Sequence, residues 1–98
     1  MFCSGQVALT PSGDLKTSTI AEQTRQCCDN LTAVLDAAGL SMSNIVKTTI
    51  FLSSMDHFGA VNEIYGSYFD SEPPARSTIA VAGLPKNVDV EIEAIAVY

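Results

Sequence analysis

The sequence has no tryptophan, a single histidine, and five Lys/Arg against eleven Asp/Glu. The resulting net charge of −6 excludes a phosphate-tracking surface, because nucleic-acid binding draws much of its free energy from clustered cations. Anionic membrane surfaces are disfavoured for the same reason, and no apolar run approaches the roughly 20 residues that span a bilayer. Cysteines are few and badly placed for cross-linking. Of Cys3, Cys27 and Cys28 two are adjacent, a pair whose ring would be strained, and the odd count leaves no even framework. With His57 alone and no Cys-x-x-Cys, no structural zinc site is expected. The thiols read as free in a reducing compartment. Met1-Phe2-Cys3 runs at once into Ser4-Gly5, unlike a secretory leader, and the expectation is a soluble, cytoplasmic protein.

Six glycines and four prolines among 98 residues that are 47% hydrophobic also exclude a disordered tail. The length fits one domain, residues 1–98. A domain of this size hides only about 60–65% of its unfolded surface, which favours oligomerisation.

Periodicity divides the chain into six elements. Met1 to Leu9 is short, apolar and β-like, with Gly5 as a bulge or close-approach point, and Thr10-Pro11-Ser12-Gly13-Asp14 is turn chemistry. Ser18 to Ala38 is helical: Ile20, Cys27, Leu31, Val34, Leu35 and Ala38 form one stripe, with Glu22, Arg25, Asp29 and Asp36 opposite. Ser18 or Thr19 is the expected N-cap and Gly39 the C-terminal stop. The β-branched run Ile45 to Leu52 predicts a strand. A second helix is expected from about Asp56 to Phe69, with Phe58, Val61, Ile64, Tyr65 and Tyr68 on its apolar face. Pro73-Pro74 ends it, Thr78 to Ala82 reads as a strand, and Val88 to Tyr98 alternates cleanly, with Glu91, Glu93, Ile95 and Val97 on one face. Strand, helix, strand, helix, strand, strand implies an α+β fold: one sheet with both helices on one face. Because both faces of the last strand carry apolar residues, a partner subunit is expected to cover part of it.

Few residues are equipped for chemistry. Arg25 stands between Glu22 and Asp29 on a helix, where a solvated ion-pair face is expected. Arg76 has no such local partner and follows a rigid Pro-Pro step. A guanidinium there suits a carboxylate held by two parallel hydrogen bonds, and spacing alone leaves open an ordinary structural ion pair. Glu91 and Glu93 lie beside Ile95 and Val97. Desolvation there raises a carboxyl pKa and suits it to acid–base work, unless both simply face water. His57 reads as a surface residue, the helical cysteines as core, and Ser4 lacks the companions of a Ser-His-Asp site.

Several blocks in order carry a family signature: Pro74-Ala75-Arg76-Ser77-Thr78, Val81-Ala82-Gly83-Leu84-Pro85 and Val90-Glu91-Ile92-Glu93-Ala94-Ile95-Ala96, preceded by Ser4-Gly5-Gln6, Gln23-Thr24-Arg25-Gln26, Asn30-Leu31, Ala37-Ala38-Gly39, Ile45-Val46-Lys47-Thr48-Thr49 and Asn62-Glu63-Ile64-Tyr65. Together they resemble the RidA/YjgF/UK114 family over nearly the whole chain. The resemblance implies a chorismate-mutase-like α+β fold assembled as a homotrimer, with a central barrel of sheets, helices outside and clefts between subunits. It implies hydrolysis of reactive 2-imino and 2-enamino acids to 2-keto acids and ammonia, without metal or organic cofactor. Residue by residue it places the substrate-carboxylate arginine at Arg76, the catalytic glutamate at Glu91, the ligand-contacting glycine at Gly5 and the cleft asparagine at Asn62. Tyr65 and Phe58 line or support the pocket, and backbone donors near Thr78 add to the carboxylate site. Two departures stand out. Thr78 occupies a position where many members carry Cys, a change that spares a backbone role. The sequence also opens after the first strand usual in the family, whose tyrosine reaches the cleft. A non-enzymatic trimer binding small carboxylates or a protein partner is the alternative, and the acidic balance argues against a ribonuclease.

Overall fold

A computed structural model describes residues 1–70 and 72–98. Four strands and two helices follow in the order β1 (Phe2–Gln6), α1 (Ile20–Ala37), β2 (Ile45–Leu52), α2 (Phe58–Gly66), β3 (Ala75–Ala80) and β4 (Val90–Ala96). The strands form one sheet in the order β1-β4-β2-β3. β4 is antiparallel to both of its neighbours, whereas β2 and β3 run parallel, as the intervening α2 crossover requires. The α+β architecture is the one that the pattern implies.

Local chemistry explains the ends of α1. The Thr19 hydroxyl accepts from the Glu22 N–H at 3.0 Å, satisfying one of the orphan donors of the first turn. Ser18 caps nothing on the main chain; its hydroxyl bonds the Glu22 carboxylate. At the other end Gly39 adopts φ +75°. Leu40 N–H reaches Leu35 C=O at 2.9 Å and Gly39 N–H reaches Asp36 C=O at 3.0 Å, a Schellman closure that needs a left-handed residue at that point. The helix is therefore shorter than Ser18–Ala38, and Ala38 is an exposed cap, not part of the buried stripe.

Both helices cover one face of the sheet. Cys27, Cys28, Leu31 and Leu35 from α1 and Val61 and Tyr65 from α2 pack with Ile50, Leu52, Val90 and Ile92 in a single core. Burying side chains of this kind contributes about 1.5–3 kcal/mol each, and strict alternation along β4, with Val90, Ile92, Ala94 and Ala96 inward, fixes its register. The opposite face carries Lys47, Thr49 and Phe51 of β2, Ser77 and Ile79 of β3, and Glu91, Glu93 and Ile95 of β4, by pairing of Phe51 with both Ile79 and Glu91 and of Lys47 with Ile95. No described element packs over it, and Phe2, Ile79, Ile95 and Val97 are exposed there.

Beyond α1, four further elements differ in their bounds from those expected. β1 spans Phe2–Gln6, not Met1–Leu9, because its pairing with β4 shifts register between Cys3 and Gln6. α2 begins at Phe58 after a 3₁₀ turn, Met55–His57, and ends at Gly66. β3 begins at Ala75, three residues before the expected Thr78, since Pro73-Pro74 already extends the chain. β4 is confined to Val90–Ala96.

Two polar clusters tie elements together, one between α1 and the sheet and one within the helix layer. Gln23 is buried, donates to Asp89 Oδ2 at 2.9 Å and accepts from the Asp89 N–H at 2.9 Å. Ser53 Oγ donates to Asp89 Oδ1 at 2.8 Å and His57 Nε2 lies 4.0 Å from the same oxygen. These bonds hold the Asp89 carboxyl below its ordinary value, the Gln23 hydrogen bond most of all. Elsewhere Tyr68 Oη donates to Asp29 Oδ1 at 2.7 Å. The expected ion pairs of Arg25 with Glu22 and Asp29 do not form among the described residues, because Ser18 and Tyr68 take those carboxylates instead. No helix among the described residues is long and apolar enough to cross a membrane.

Candidate active site

Four of the expected site residues converge beside α2. Arg76 projects from β3 toward the helix layer, since its register partner Thr48 is buried on that face. Its guanidinium carbon lies 5.4 Å from the Phe58 ring centroid and 5.2 Å from that of Tyr65, both within cation–π range. Nη1 donates to Asn62 Oδ1 at 2.5 Å. Asn62 thus fixes the guanidinium and does not merely line the cleft. Among the described residues Arg76 has no carboxylate partner; the one ion pair is His57–Asp89. The structural ion pair left open by spacing is therefore absent. A cleft of about 370 Å³ opens here, bounded by Asn62, Tyr65, Gly66, Phe69, Asp70, Pro73, Pro74 and Arg76: a fixed cation on walls of mixed polarity, which the Asp70 side chain also lines without pairing with it.

Thr78 sits two residues along the same strand and faces the same way, its register partner being the buried Ile50. Its hydroxyl is enclosed and has no hydrogen-bond partner, so the side chain offers the cleft nothing. The backbone does. Val81 N–H donates to Leu52 C=O, and in a parallel ladder residues of that parity turn both polar groups to the neighbouring strand. Arg76 and Thr78, of the other parity, aim their N–H groups out of the free edge of β3. Outward-facing main-chain donors therefore lie on the same edge strand that carries the guanidinium.

Gly5 and Glu91 form a second cluster. A side chain at Gly5 would bring its Cβ to 2.7 Å from Glu91 Cδ, so glycine is required for the carboxylate to lie against β1. Burial, and secondarily the Glu93 charge, raises the Glu91 carboxyl above its ordinary value, the direction that favours proton transfer nearer neutrality. This cluster does not meet the first. Glu91 pairs with Phe51 whereas Arg76 pairs with Thr48, three residues away on β2. Side chains alternate with period two, so within one chain the two functional groups occupy opposite faces of the sheet.

Remaining candidates take no part. Cys27 and Cys28 are fully buried, and desolvation pushes the Cys28 thiol up to about 12 and Cys27 higher still, which removes the thiolate a nucleophile needs. No three His, Cys, Asp or Glu side chains among the described residues are placed to hold a metal ion. Thr48 was not anticipated at the site: its hydroxyl lies 2.6 Å from Tyr65 Oη in the core. The available signal was a polar residue in register with Ile50 and Leu52 on the inward face of an apolar strand.

Known proteins are similar to this chain in sequence and fold. The family model described as Endoribonuclease L-PSP matches residues 1–98. A mouse protein named 2-iminobutanoate/2-iminopropanoate deaminase is 49% identical over 98 residues, 99% of this chain and 73% of its own length. The crystal structure of a Thermotoga maritima protein superposes with a TM-score of 0.96 at 50% identity, covering 100% of this chain and 78% of that one. That of Escherichia coli TdcF with bound serine gives 0.94 at 40% identity, covering 99% and 79%. A match along the whole chain, at such identity and with the same fold, places it: this chain belongs to the Endoribonuclease L-PSP family, whose curated relatives include RidA-type imine deaminases.

Proposed function

We propose that this protein hydrolyses 2-imino and 2-enamino acids to 2-keto acids and ammonia, as a homotrimer whose clefts combine the Arg76 cluster of one copy with the Gly5–Glu91 cluster of the next. Arg76 and the Thr78 N–H grip the substrate carboxylate, which fixes the imine carbon in place. Glu91 takes a proton from water as its oxygen adds to that carbon. The proton passes to nitrogen, giving a carbinolamine; its hydroxyl proton then moves through Glu91 to the same nitrogen as the C–N bond breaks and the C=O forms, so ammonia leaves behind the 2-keto acid. No metal or organic cofactor enters the scheme. The carrying observation is Arg76 itself: a guanidinium seated between Phe58 and Tyr65, bonded by Asn62, with no carboxylate of its own among the described residues. In a protein of net charge −6, this is a local positive potential built for an anion. The deaminase name of the mouse relative supports the choice of reaction.

The direct test is a coupled assay with freshly generated 2-iminobutanoate on the parent and on Arg76→Ala. Loss of the grip should lower kcat/KM by roughly 100-fold or more with the oligomer intact by gel filtration. An unchanged rate would sink the proposal. A second reading, a trimer that binds small carboxylates or a protein partner without turnover, is favoured by the separation of Arg76 and Glu91 on opposite faces. It predicts saturable binding of 2-oxobutanoate and no keto-acid release from the imine.

A further inference from the structure

Thr48 is buried in the central strand, and its hydroxyl lies 2.6 Å from Tyr65 Oη. Around this pair the core is apolar, with Cys28, Ile50, Val61 and Ala94 all buried. A valine and a phenylalanine would fill nearly the same volume and satisfy the same packing, and replacing both partners of such a bond is close to neutral for stability. The bond therefore has a purpose other than holding the core. Its geometry shows which. Tyr65 is fixed at its hydroxyl end by Thr48 and at its ring by Phe69, 4.9 Å away and tilted 48°. The Arg76 guanidinium rests on that ring, and Thr48 is also the β2 residue in register with Arg76.

We infer that Thr48 is a positioning residue for the anion grip: its hydroxyl sets the place of the Tyr65 ring, and the ring sets the place of the Arg76 guanidinium. This rests on the reading of Arg76 as the carboxylate grip. Three contacts then hold the guanidinium, with Phe58, Tyr65 and Asn62 each restricting it. Its remaining N–H groups are left for the ligand. A site held in this way binds without first ordering a long side chain, a saving lost when the supporting ring is free to shift.

The test uses the full chain and 2-oxobutanoate as the probe, with affinity by calorimetry and turnover by the coupled assay. The double variant Thr48→Val/Tyr65→Phe removes the bond without orphaning either hydroxyl, so its unfolding midpoint stays near that of the parent. We expect it to bind 2-oxobutanoate about 10-fold more weakly and to raise KM with kcat nearly unchanged, because the Glu91 end is untouched. Thr48→Ser, which keeps the hydroxyl, should retain parent affinity, and Tyr65→Phe alone, which leaves the Thr48 hydroxyl unpaired, should reproduce the loss. Parent affinity in both Thr48→Val/Tyr65→Phe and Tyr65→Phe, while Arg76→Ala abolishes binding, would overturn the role of Thr48 and leave the grip standing. Parent affinity in Arg76→Ala would overturn the grip and the role of Thr48 with it.

Discussion

Arg76 and Glu91 lie on opposite faces of the same four-stranded sheet. Thr48, the register partner of Arg76, points into the core beneath α1 and α2, whereas Phe51, the partner of Glu91, points away from it. A carboxylate grip and a proton acceptor cannot act on one small molecule from two sides of a sheet. A reaction that uses both requires a second copy whose open face meets the first copy's cleft. The exposed Phe2, Ile79, Ile95 and Val97 on that open face are the kind of apolar patch such a contact would cover.

Complementation between inactive variants tests this directly. Arg76→Ala and Glu91→Gln are each expected to be inactive alone. Unfolded together in equal amounts and refolded, they should recover about a quarter of parent activity, since in a closed ring one site in four receives both intact residues. Keto-acid release in the mixture reads the outcome. Recovery no greater than the sum of the two separate variants would mean that the site is not shared.

Gly5 is predicted to be indispensable through its lack of a side chain. A Cβ at this position meets the Glu91 carboxyl, with Cδ 2.7 Å away. Gly5→Ala should leave urea unfolding near the parent value, because only the flexible end of the Glu91 side chain has to swing away, and should lower kcat by displacing the carboxylate. Parent kcat in Gly5→Ala would show that turnover does not need the carboxylate seated against β1.

Local pattern reached much of this fold and less of its site. Ile45–Leu52 emerged with its limits intact, because a β-branched run bounded by Asn44 and Ser53 has few alternatives. The inward set of β4 followed from period-two alternation. β3 was harder: Arg76 and Ser77 do not look like strand residues, and only pairing with Thr48 and Thr49 makes them so. Arg76 and Glu91 stood out by residue chemistry and Asn62 and Tyr65 by resemblance, yet their division between two faces depends on strand register, which no single segment encodes. Gln23 shows the same limit, for its helical position gave no sign of the partner 66 residues away on Asp89.

Thr78 invites a stabilising substitution. Its hydroxyl is buried without a hydrogen-bond partner, and leaving such a group unsatisfied costs about 1–3 kcal/mol. Thr78→Val keeps the branched shape and removes the unmet oxygen. It should raise stability by up to about 1 kcal/mol once imperfect packing is allowed for. Deaminase activity should persist, because the N–H that faces the free edge of β3 is unchanged. A loss of activity with retained stability would show that the hydroxyl reaches the ligand after all.

Acid sensitivity should be traceable to Asp89. Hydrogen bonds from Gln23 and Ser53, with the nearby His57, lower its carboxyl below the ordinary value in the folded state. A depressed carboxyl binds fewer protons folded than unfolded between the two pKa values. Its stabilising contribution is therefore complete above the unfolded pKa, near 4, and disappears as pH falls through the lower folded value. Asp89→Asn cannot ionise and should lose this dependence. Urea unfolding of parent and variant should differ most at neutral pH, where the aspartate bonds are charge-assisted, by less than about 1 kcal/mol because the half-exposed carboxylate is screened by solvent. The gap should narrow steadily below pH 4. A constant difference from pH 7 to pH 3 would place the acid response of the fold elsewhere, and would reduce the Gln23–Asp89–Ser53 cluster to a neutral hydrogen-bonded tie between α1, β2 and β4.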